Sequence, residues 1–356
     1  MYNVTLIPGD GIGPEIIGST MKMIEAADVN INWDKVICGE GVKEKEGTVC
    51  PDYVLEKCKE NKLVLKGPMI VPKGGSYVTT SWSINGRLST PFNYPTVNNT
   101  IRRALGCNIC LRLAKTFDGV PSKYNNVDTV VIRELTEDVY VASEYSILKD
   151  WGVALKVTTE KAVRKACEFG FNYAKKNKRK KITVVHKANV LKQTDGLFLE
   201  ISKEVAKNYP ELEFEDLMVD AAAAKLILHP EDFDVIITSN QYGDIISDMC
   251  AAIVGGLGMS GGENVGDEVI VYEASHGAAP DIAGQNKANP TAMMLSGILL
   301  LKKLGEFQAA EKCEKAIEMT LKEAKYLTPD IGGNRSTSEY TNAVIEKINR
   351  MNQELP

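Results

Sequence analysis

The sequence predicts an α/β protein with much parallel sheet, and three observations support this prediction. Short apolar, β-branched runs alternate with helical stretches over the first three quarters of the chain, a pattern typical of parallel sheets. The segments after residue 274 are mostly helical. The 356 residues exceed the roughly 250–300 at which one hydrophobic core tends to divide, so we expect two domains with a ligand site between them.

The individual elements follow from length and apolar spacing. We predict strands at residues 4–8, 63–67, 128–133, 181–186, 214–220, 233–239 and 269–274. We predict helices at residues 13–27, 160–177, 202–209, from 240 onward, and at 290–304, 306–324 and 338–352. Residues 67–95 are rich in Gly, Ser, Thr and Pro with aromatic residues between them, and we expect an ordered excursion there.

Composition excludes several classes of protein. With 44% hydrophobic residues, 25% charged residues and a net charge of −5, the chain predicts neither a nucleic-acid nor a membrane partner. No apolar stretch reaches the roughly 20 residues of a membrane span. The chain opens on a predicted strand without a signal-like segment, so we expect a cytoplasmic protein. Of the eight cysteines, Cys107 and Cys110 would point to opposite faces of a strand, which favours core thiols.

Two glycine motifs invite functional interpretations that their context does not favour. The Gly9–Gly13 turn has the spacing G-x-G-x-G and is followed by Pro14, whereas a Rossmann turn requires G-x-G-x-x-G. We therefore predict a structural turn. Ser260 lies in a literal G-x-S-x-G, but it sits in a Gly-rich loop after a helix rather than between a strand and a helix. It does not fit a nucleophile elbow.

Asp244 and Asp248 are the most informative pair of residues. Residues four apart lie one above the other on a helix face, and like charges so placed repel. A divalent cation such as Mg²⁺ or Mn²⁺ between them would remove that cost. An exposed acidic helix face is the alternative.

Several basic residues and one tyrosine suggest an anionic substrate. Lys187 ends a predicted strand, where a side chain points into the crevice beyond the sheet; a solvated surface lysine is the alternative. Arg112 interrupts an apolar run and needs an anionic partner or a route to water. Arginine binds carboxylates bidentately, so Arg102, Arg112 and Arg133 beside a carboxylate metal site predict a polycarboxylate substrate. Tyr140 by itself is typical of a core or interface residue.

The motifs together resemble the isocitrate/isopropylmalate dehydrogenase family, nearly from end to end. The matching segments are Ile7-Pro-Gly-Asp-Gly-Ile-Gly-Pro-Glu, Lys66-Gly-Pro, Arg133-Glu-Leu-Thr-Glu-Asp-Val-Tyr, His186-Lys-Ala-Asn, Tyr242-Gly-Asp-Ile-Ile-Ser-Asp, Gly255-Gly-Leu-Gly and Glu273-Ala-Ser-His-Gly-Ala-Ala-Pro-Asp-Ile-Ala-Gly. The resemblance implies an isopropylmalate dehydrogenase-like α/β/α dimer fold, distinct from the Rossmann fold. It implies a large domain of residues 1–107 and 255–356, and a small domain of residues 108–254 with a dimer clasp at about 138–180.

The resemblance also implies roles for individual residues. Asp244 and Asp248 match the metal carboxylates, and Asp220 matches a third ligand supplied across a homodimer interface. Tyr140 and Lys187 match the catalytic pair, Lys187 accepting the hydroxyl proton and Tyr140 returning a proton to carbon. The resemblance implies that Lys187, like Asp220, serves the site of the neighbouring subunit, so that dimerisation is required for catalysis. The substrate would be held by Arg102, Arg112, Arg133 and Asn189.

Substrate and cofactor follow from two short segments. Thr96 and Asn98 are polar where isopropylmalate enzymes place an apolar leucine, so isocitrate is the predicted substrate; homoisocitrate is the runner-up and isopropylmalate remains an alternative. Asp281 and Ile282 stand where NADP-preferring relatives carry Lys and Tyr, which favours NAD. The remaining cofactor contacts implied by the resemblance are Glu273, His276, Gly277 and Asn289. A non-catalytic regulatory subunit of a hetero-oligomer is the rival from another class.

Overall fold

The computed structural model describes residues 1–72, 77–83 and 86–354. The strands of these residues are β1 (Tyr2–Ile7), β2 (Ile31–Lys35), β3 (Leu63–Lys66), β4 (Val78–Ser83), β5 (Gly86–Tyr94), β6 (Cys107–Lys115), β7 (Asp128–Glu134), β8 (Glu144–Leu148), β9 (Trp151–Ala154), β10 (Lys181–His186), β11 (Glu213–Met218), β12 (Val235–Thr238), β13 (Gly261–Gly266) and β14 (Ile270–Ala274). Their α-helices are α1 (Gly13–Ala26), α2 (Glu40–Glu46), α3 (Asp52–Asn61), α4 (Val97–Ala104), α5 (Glu160–Lys176), α6 (Thr194–Ala206), α7 (Val219–Leu228), α8 (Asn240–Ile253), α9 (Thr291–Leu304), α10 (Phe307–Lys322) and α11 (Thr337–Glu354).

The chain divides into two compact units. The first comprises Met1–Cys107, Thr116–Ser122 and Gly255–Pro356. The second comprises Asn108–Lys115 and Lys123–Val254. Each unit contains its own run of paired strands and its own buried core.

In the first unit the strands are ordered β13-β14-β3-β1-β2. All of these neighbours are parallel except β13 and β14. Helix α9 is buried along most of its length and packs on β13 and β14, while α1, α10 and α11 pack against one another. A helix that is apolar on most sides belongs in a core, which explains the run Ala292–Leu295 without a polar residue.

In the second unit the strands are ordered β11-β10-β12-β7-β6, parallel except for β6 against β7. Helices α5 and α6 pack against each other and on these strands, and α7 packs against α8. The buried face of α5 repeats at helical spacing, with Val163, Cys167, Phe171 and Ala174 inside. Phe171 is fully buried, and its removal would cost about 3–5 kcal/mol of stability.

The predicted alternation of strands and helices is confirmed, with most ends within two residues. Two predictions were wrong in detail. The strand predicted at 214–220 ends at Met218, and Asp220 lies in the first turn of α7. The helix predicted at 202–209 begins earlier, at Thr194. Helix α7 was not predicted because its Ala-rich segment follows the strand without a break.

The predicted excursion at residues 67–95 contains the antiparallel hairpin β4–β5, which packs on α3 and α4. Residues 73–76, 84 and 85 of this segment lie outside the described residues. Tyr94 is buried, its hydroxyl donates to the Trp82 carbonyl, and Lys59 Nζ lies 4.6 Å from the centre of the Trp82 ring. The described part is therefore ordered, as predicted. Among the described residues, no helix is long and apolar enough to span a membrane.

Candidate functional site

The predicted acidic pair lies on one helix. Helix α8 carries Asp244 and Asp248 four residues apart, which confirms the predicted helix. Its buried face, which includes Ile246 and Cys250, packs on β7 and leaves the Asp248 side chain accessible. Neighbouring protein atoms partly desolvate the Asp248 carboxyl, and Asp244 adds a like charge. These two effects raise the pKa of Asp248 although the positive charges of Arg112 and Arg133 act to lower it.

Arg133 on β7 faces the start of this helix. Its Nε and Nη2 donate to Asn240 Oδ1 at 3.0 and 2.6 Å, and its Nη1 donates to Asp244 Oδ1 at 2.5 Å. A Cβ at Gly243 would lie 2.5 Å from Arg133 Cγ, so glycine leaves the space that this arginine fills. The Arg133 side chain is only 4% exposed, so these acceptors compensate its buried charge.

Tyr140 lies on a single 3₁₀ turn, Val139–Val141, that follows β7. Its hydroxyl donates to Asp244 Oδ2 at 2.6 Å, and the Arg133 guanidinium lies 5.2 Å from its ring centre. Partial burial and the bond to Asp244 raise the pKa of Tyr140 to about 12. The phenol is therefore protonated at neutral pH and can donate a proton.

Lys187 lies one residue beyond β10, and its Nζ donates to Asp220 Oδ1 at 2.6 Å. This bond holds the pKa of Asp220 below its usual range. Asn189, predicted to contact substrate, is exposed in the turn that follows. Within the described part of one chain, no three His, Cys, Asp or Glu side chains form a metal-binding group. Asp220 consequently does not join the α8 acids in a single chain.

The first unit contains a second polar cluster, centred on Glu273 at the end of β14. Its Oε2 accepts from Lys66 Nζ at 2.6 Å, and its Oε1 accepts from Arg102 Nη2 and Asn264 Nδ2 at 2.6 and 2.7 Å. The side chains of Lys66 and Glu273 are 3% and 6% exposed. Arg102, predicted to bind substrate, is thus held by a residue predicted to lie near the nicotinamide.

Helix α4 carries the predicted substrate-reading residues. Thr96 is its N-cap: the hydroxyl accepts from Asn99 N at 3.1 Å and donates to Asn99 Oδ1 at 2.9 Å. The hydroxyl hydrogen of Thr96 is therefore already engaged in a hydrogen bond to Asn99. Asn98 Oδ1 is buried without a hydrogen-bond partner among the described residues.

The loop predicted to hold the cofactor packs on the glycine turn of the same unit. Ile12 N donates to the Ala278 carbonyl at 2.9 Å, and a Cβ at Gly11 would lie 2.0 Å from that oxygen. Within the loop, Gly277 and Asp281 are exposed, whereas His276 and Ile282 are half-buried.

The side chain of Asn289 is engaged within its own unit. Its Nδ2 donates to Asp330 Oδ2 at 3.0 Å, and its Oδ1 accepts from Thr291 N and Oγ1. These bonds fix the start of α9. The predicted contact with adenine stays a prediction.

Ser260 and the cysteines, for which we predicted no catalytic or metal-binding role, lie in buried surroundings. Ser260 is fully buried, with its hydroxyl hydrogen-bonded to Ser275. The described cysteines are all buried free thiols, as predicted.

Several residues of the two clusters had no role predicted from the sequence. Lys66 was present only as part of a matching motif, although a lysine ending an apolar strand is the signal that singled out Lys187. Gly243 likewise was present only in a matching motif. Asn240 gave no signal because its partner Arg133 is 107 residues away in the chain, and Asn264 gave none although Glu273 is only nine residues away.

A model of the isocitrate/isopropylmalate dehydrogenase family matches residues 3–344. The chain belongs to this family. The predicted family and fold are therefore confirmed, and the protein is a dehydrogenase of this family.

Individual relatives carry different names. The chain is 42% identical, over 98% of its length and 92% of the relative, to a mitochondrial NAD isocitrate dehydrogenase regulatory subunit of Dictyostelium discoideum. It is 40% identical, over 98% of its length and the whole relative, to a 3-isopropylmalate dehydrogenase of Archaeoglobus fulgidus. A crystal structure of isocitrate dehydrogenase from Methylococcus capsulatus superposes with a TM-score of 0.91 at 39% identity, covering 98% of this chain and all of that one. Similarity alone does not decide the substrate.

Proposed function

We propose that the protein oxidises isocitrate to 2-oxoglutarate and CO₂, with NAD as hydride acceptor and Mg²⁺ or Mn²⁺ as metal ion. The observation that supports isocitrate as the substrate is the polar first turn of α4, where Asn98 Oδ1 is buried without a hydrogen-bond partner among the described residues. An unpaired buried polar atom costs about 1–3 kcal/mol; a carboxylate cannot pair with Oδ1, which is itself an acceptor, but it pairs with the NH₂ of the rotated amide, whereas an alkyl group pairs with neither. Rotating this amide presents its NH₂ to a γ-carboxylate.

The α8 acids fit a hard divalent cation. Asp244 and Asp248 offer carboxylate oxygens on adjacent turns, and the raised pKa of Asp248 reflects negative charge that a cation would compensate. Asp220 of a second copy would supply the third carboxylate. When bound, such an ion supplies Lewis-acid polarisation of oxygens on the substrate.

The remaining chemistry belongs to side chains of the chain. Arg102, Arg112 and Arg133 bind the substrate carboxylates, with planar donors that match carboxylate geometry. Lys187 accepts the C2 hydroxyl proton as hydride leaves C2 for the nicotinamide. Tyr140, whose pKa of about 12 keeps it protonated, donates a proton to carbon after CO₂ leaves.

A homodimer is part of this proposal. The Lys187–Asp220 pair is exposed in one chain, where Asp220 is 65% exposed, so both groups are accessible to a second copy. The β8–β9 hairpin, within the predicted clasp, exposes Tyr145, Ile147 and Trp151 by 56%, 54% and 58%. Apolar side chains so exposed suit burial in a subunit interface.

NAD is favoured over NADP because Asp281 is exposed on the loop predicted to hold the adenosine ribose. A carboxylate accepts from a 2′-hydroxyl and repels a 2′-phosphate.

The test is steady-state turnover of purified protein with isocitrate, homoisocitrate and isopropylmalate, each with NAD and NADP in the presence of Mn²⁺. We expect the highest kcat/KM with isocitrate and NAD. Asn98→Leu should lower the isocitrate-to-isopropylmalate ratio about tenfold or more, whereas Asn125→Leu, at an exposed loop position, should leave it unchanged. A higher kcat/KM for isopropylmalate in the wild type would overturn the substrate assignment.

A regulatory role is the second candidate, favoured by the similarity to the Dictyostelium regulatory protein. Against it, Tyr140, Lys187 and the three aspartates predicted to bind metal are all present. Absence of Mn²⁺-dependent NADH formation from isocitrate by the chain alone would favour this candidate.

A further inference from the structure

A buried lysine lies between two buried aspartates in the second unit. Lys156 Nζ is 3.2 Å from Asp138 Oδ1, 3.0 Å from Asp195 Oδ1 and 4.5 Å from the centre of the Tyr242 ring. The lysine side chain is 14% exposed, and the aspartates are 1% and 2% exposed. Charges this deep require compensation, and the Lys156 ammonium lies within ion-pair distance of both carboxylates.

The two carboxylates hold backbone amides of three different segments. Asp138 Oδ1 accepts from Val139 N at 2.8 Å, and its Oδ2 accepts from Gln241 N at 3.1 Å. Asp195 Oδ2 accepts from Lys187 N at 2.6 Å. These amides lie next to Tyr140, three residues before Asp244 and at Lys187 itself.

The backbone at Asp138 requires this support. Its φ is 69°, in the region that non-glycine residues rarely adopt, and its N–H donates to the carbonyl of Val157, the neighbour of Lys156. Burial alone would raise the pKa of Asp138, but Lys156 and the hydrogen bonds to this carboxylate hold it below its usual range.

We propose that Lys156, Asp138 and Asp195 form a positioning network for catalytic groups of this chain, those of its own site and Lys187, which serves the neighbour's site. The lysine charge pairs with both aspartates, and the aspartates fix the Tyr140 turn, the start of α8 and the Lys187 backbone relative to one another. Lys156 is a positioning residue, acting through the two aspartates. The catalytic part of this inference rests on the proposed function; the structural part does not.

The test compares Lys156→Met with Lys161→Met, the same change at an exposed position of α5. Amide hydrogen exchange is measured on peptides that contain Val139, Lys187 and Gln241, and kcat and KM are measured with isocitrate. We expect Lys156→Met to speed exchange selectively in these peptides and to lower kcat about 100-fold with KM nearly unchanged, because small displacements of reacting groups are costly. Lys161→Met should change neither.

A double variant separates charge from side-chain volume. Lys156→Met/Asp195→Asn removes one of the two carboxylates that Lys156→Met leaves uncompensated, so it should recover about tenfold in kcat and regain part of the exchange protection. If Lys156→Met does not fold, a folded double variant supports the proposal and an unfolded one overturns it.

Three further outcomes would overturn the positioning role. They are wild-type exchange in Lys156→Met, a uniform rise in exchange across the second unit, or no recovery in the double variant. A wild-type protein without dehydrogenase activity would overturn the proposed function instead, and the exchange pattern would then decide the Lys156 network by itself.

Discussion

Two buried glutamates, Glu273 in the first unit and Glu134 in the second, have opposite kinds of hydrogen-bond donor. In the first unit, Glu273 accepts hydrogen bonds from two cations, Lys66 and Arg102. In the second unit, Glu134 is equally buried, but it accepts from backbone amides and the Thr136 hydroxyl. Burial raises the pKa of Glu134 to about 7, because neutral donors offset desolvation less well than cations do.

The pKa of Asp248, like that of Glu134, is raised. Its pKa is raised because protein atoms crowd its carboxyl and Asp244 lies one turn away. The acid of the first unit is therefore already compensated and orients the cations around it. Glu134 and Asp248 of the second unit are ionised at a cost, so binding a cation or a proton at either carboxyl stabilises the protein. This difference fits a substrate-carboxylate contact at Arg102 and a metal ion at α8.

Asp248→Asn should have the largest effect. If α8 holds the metal ion, kcat/KM with isocitrate and Mn²⁺ should fall more than about 1000-fold, or about 4 kcal/mol. In EDTA at pH 7 the same variant should unfold at a higher temperature, because the amide has no charge to be desolvated or repelled by Asp244. Thermal unfolding and steady-state kinetics check both parts.

Glu200→Gln is the control, since it removes an exposed carboxylate from α6 of the same unit. It should change neither activity nor unfolding temperature. A lower unfolding temperature for Asp248→Asn in EDTA would contradict the comparison between the units.

Glu273→Gln should be next, because it breaks a buried pair. Lys66 would keep its charge without a carboxylate, which costs about 3 kcal/mol of unfolding free energy. Glu314→Gln is the matched control: its bond to Lys302 is 3.0 Å long, but the side chains are 37% and 45% exposed, so the loss should be under about 1 kcal/mol. Urea unfolding measures both. Equal losses would show that the Glu273 pair is no stronger than a surface pair.

Much of the fold and part of the site could be predicted from the sequence. The predictable features depend on local spacing along the sequence. They are helix α8 with its two aspartates, the strand that contains Arg133, the strand that precedes Lys187, and the buried cysteines. The family was recognisable from motifs that span the whole chain.

The rest depends on contacts between distant residues. Lys66 and Glu273 are 207 residues apart, and neither one predicts the other by pattern. Lys156 follows an exposed hairpin whose side chains show no alternation of buried and exposed positions, so its burial was not predictable. Asp220 was placed on a strand because the boundary between β11 and α7 has no turn residue.

Tyr140→Phe tests whether Tyr140, in the second unit, is the proton donor to carbon. We expect hydride transfer to persist while overall turnover slows about 100-fold, or about 2.7 kcal/mol, because the proton donor for carbon is lost. Transient NADH formation and 2-oxoglutarate release, measured in one stopped-flow and quench series, separate the two steps. Tyr209→Phe removes a hydroxyl that donates to Asn172 Oδ1 at 3.1 Å on the same unit and should leave both rates unchanged. Wild-type turnover in Tyr140→Phe would exclude this role.

Glu134→Gln should have the smallest effect and tests the burial argument by pH. The folded-state pKa of Glu134, about 7, lies above its ordinary value of 4.5, so its contribution to stability is fully present below about pH 4.5 and is lost as pH rises through 7. Over this window the wild type should lose stability relative to Glu134→Gln, by at most about 1.4 kcal/mol per pH unit.

The measurement is urea unfolding of Glu134→Gln and wild type between pH 5 and 8. Glu168→Gln, at an exposed position of α5, should parallel the wild type throughout. If the difference between Glu134→Gln and wild type does not change with pH, Glu134 is ionised as easily in the folded protein as in the unfolded chain. In that case neutral donors compensate a buried acid in the second unit as fully as Lys66 and Arg102 do in the first.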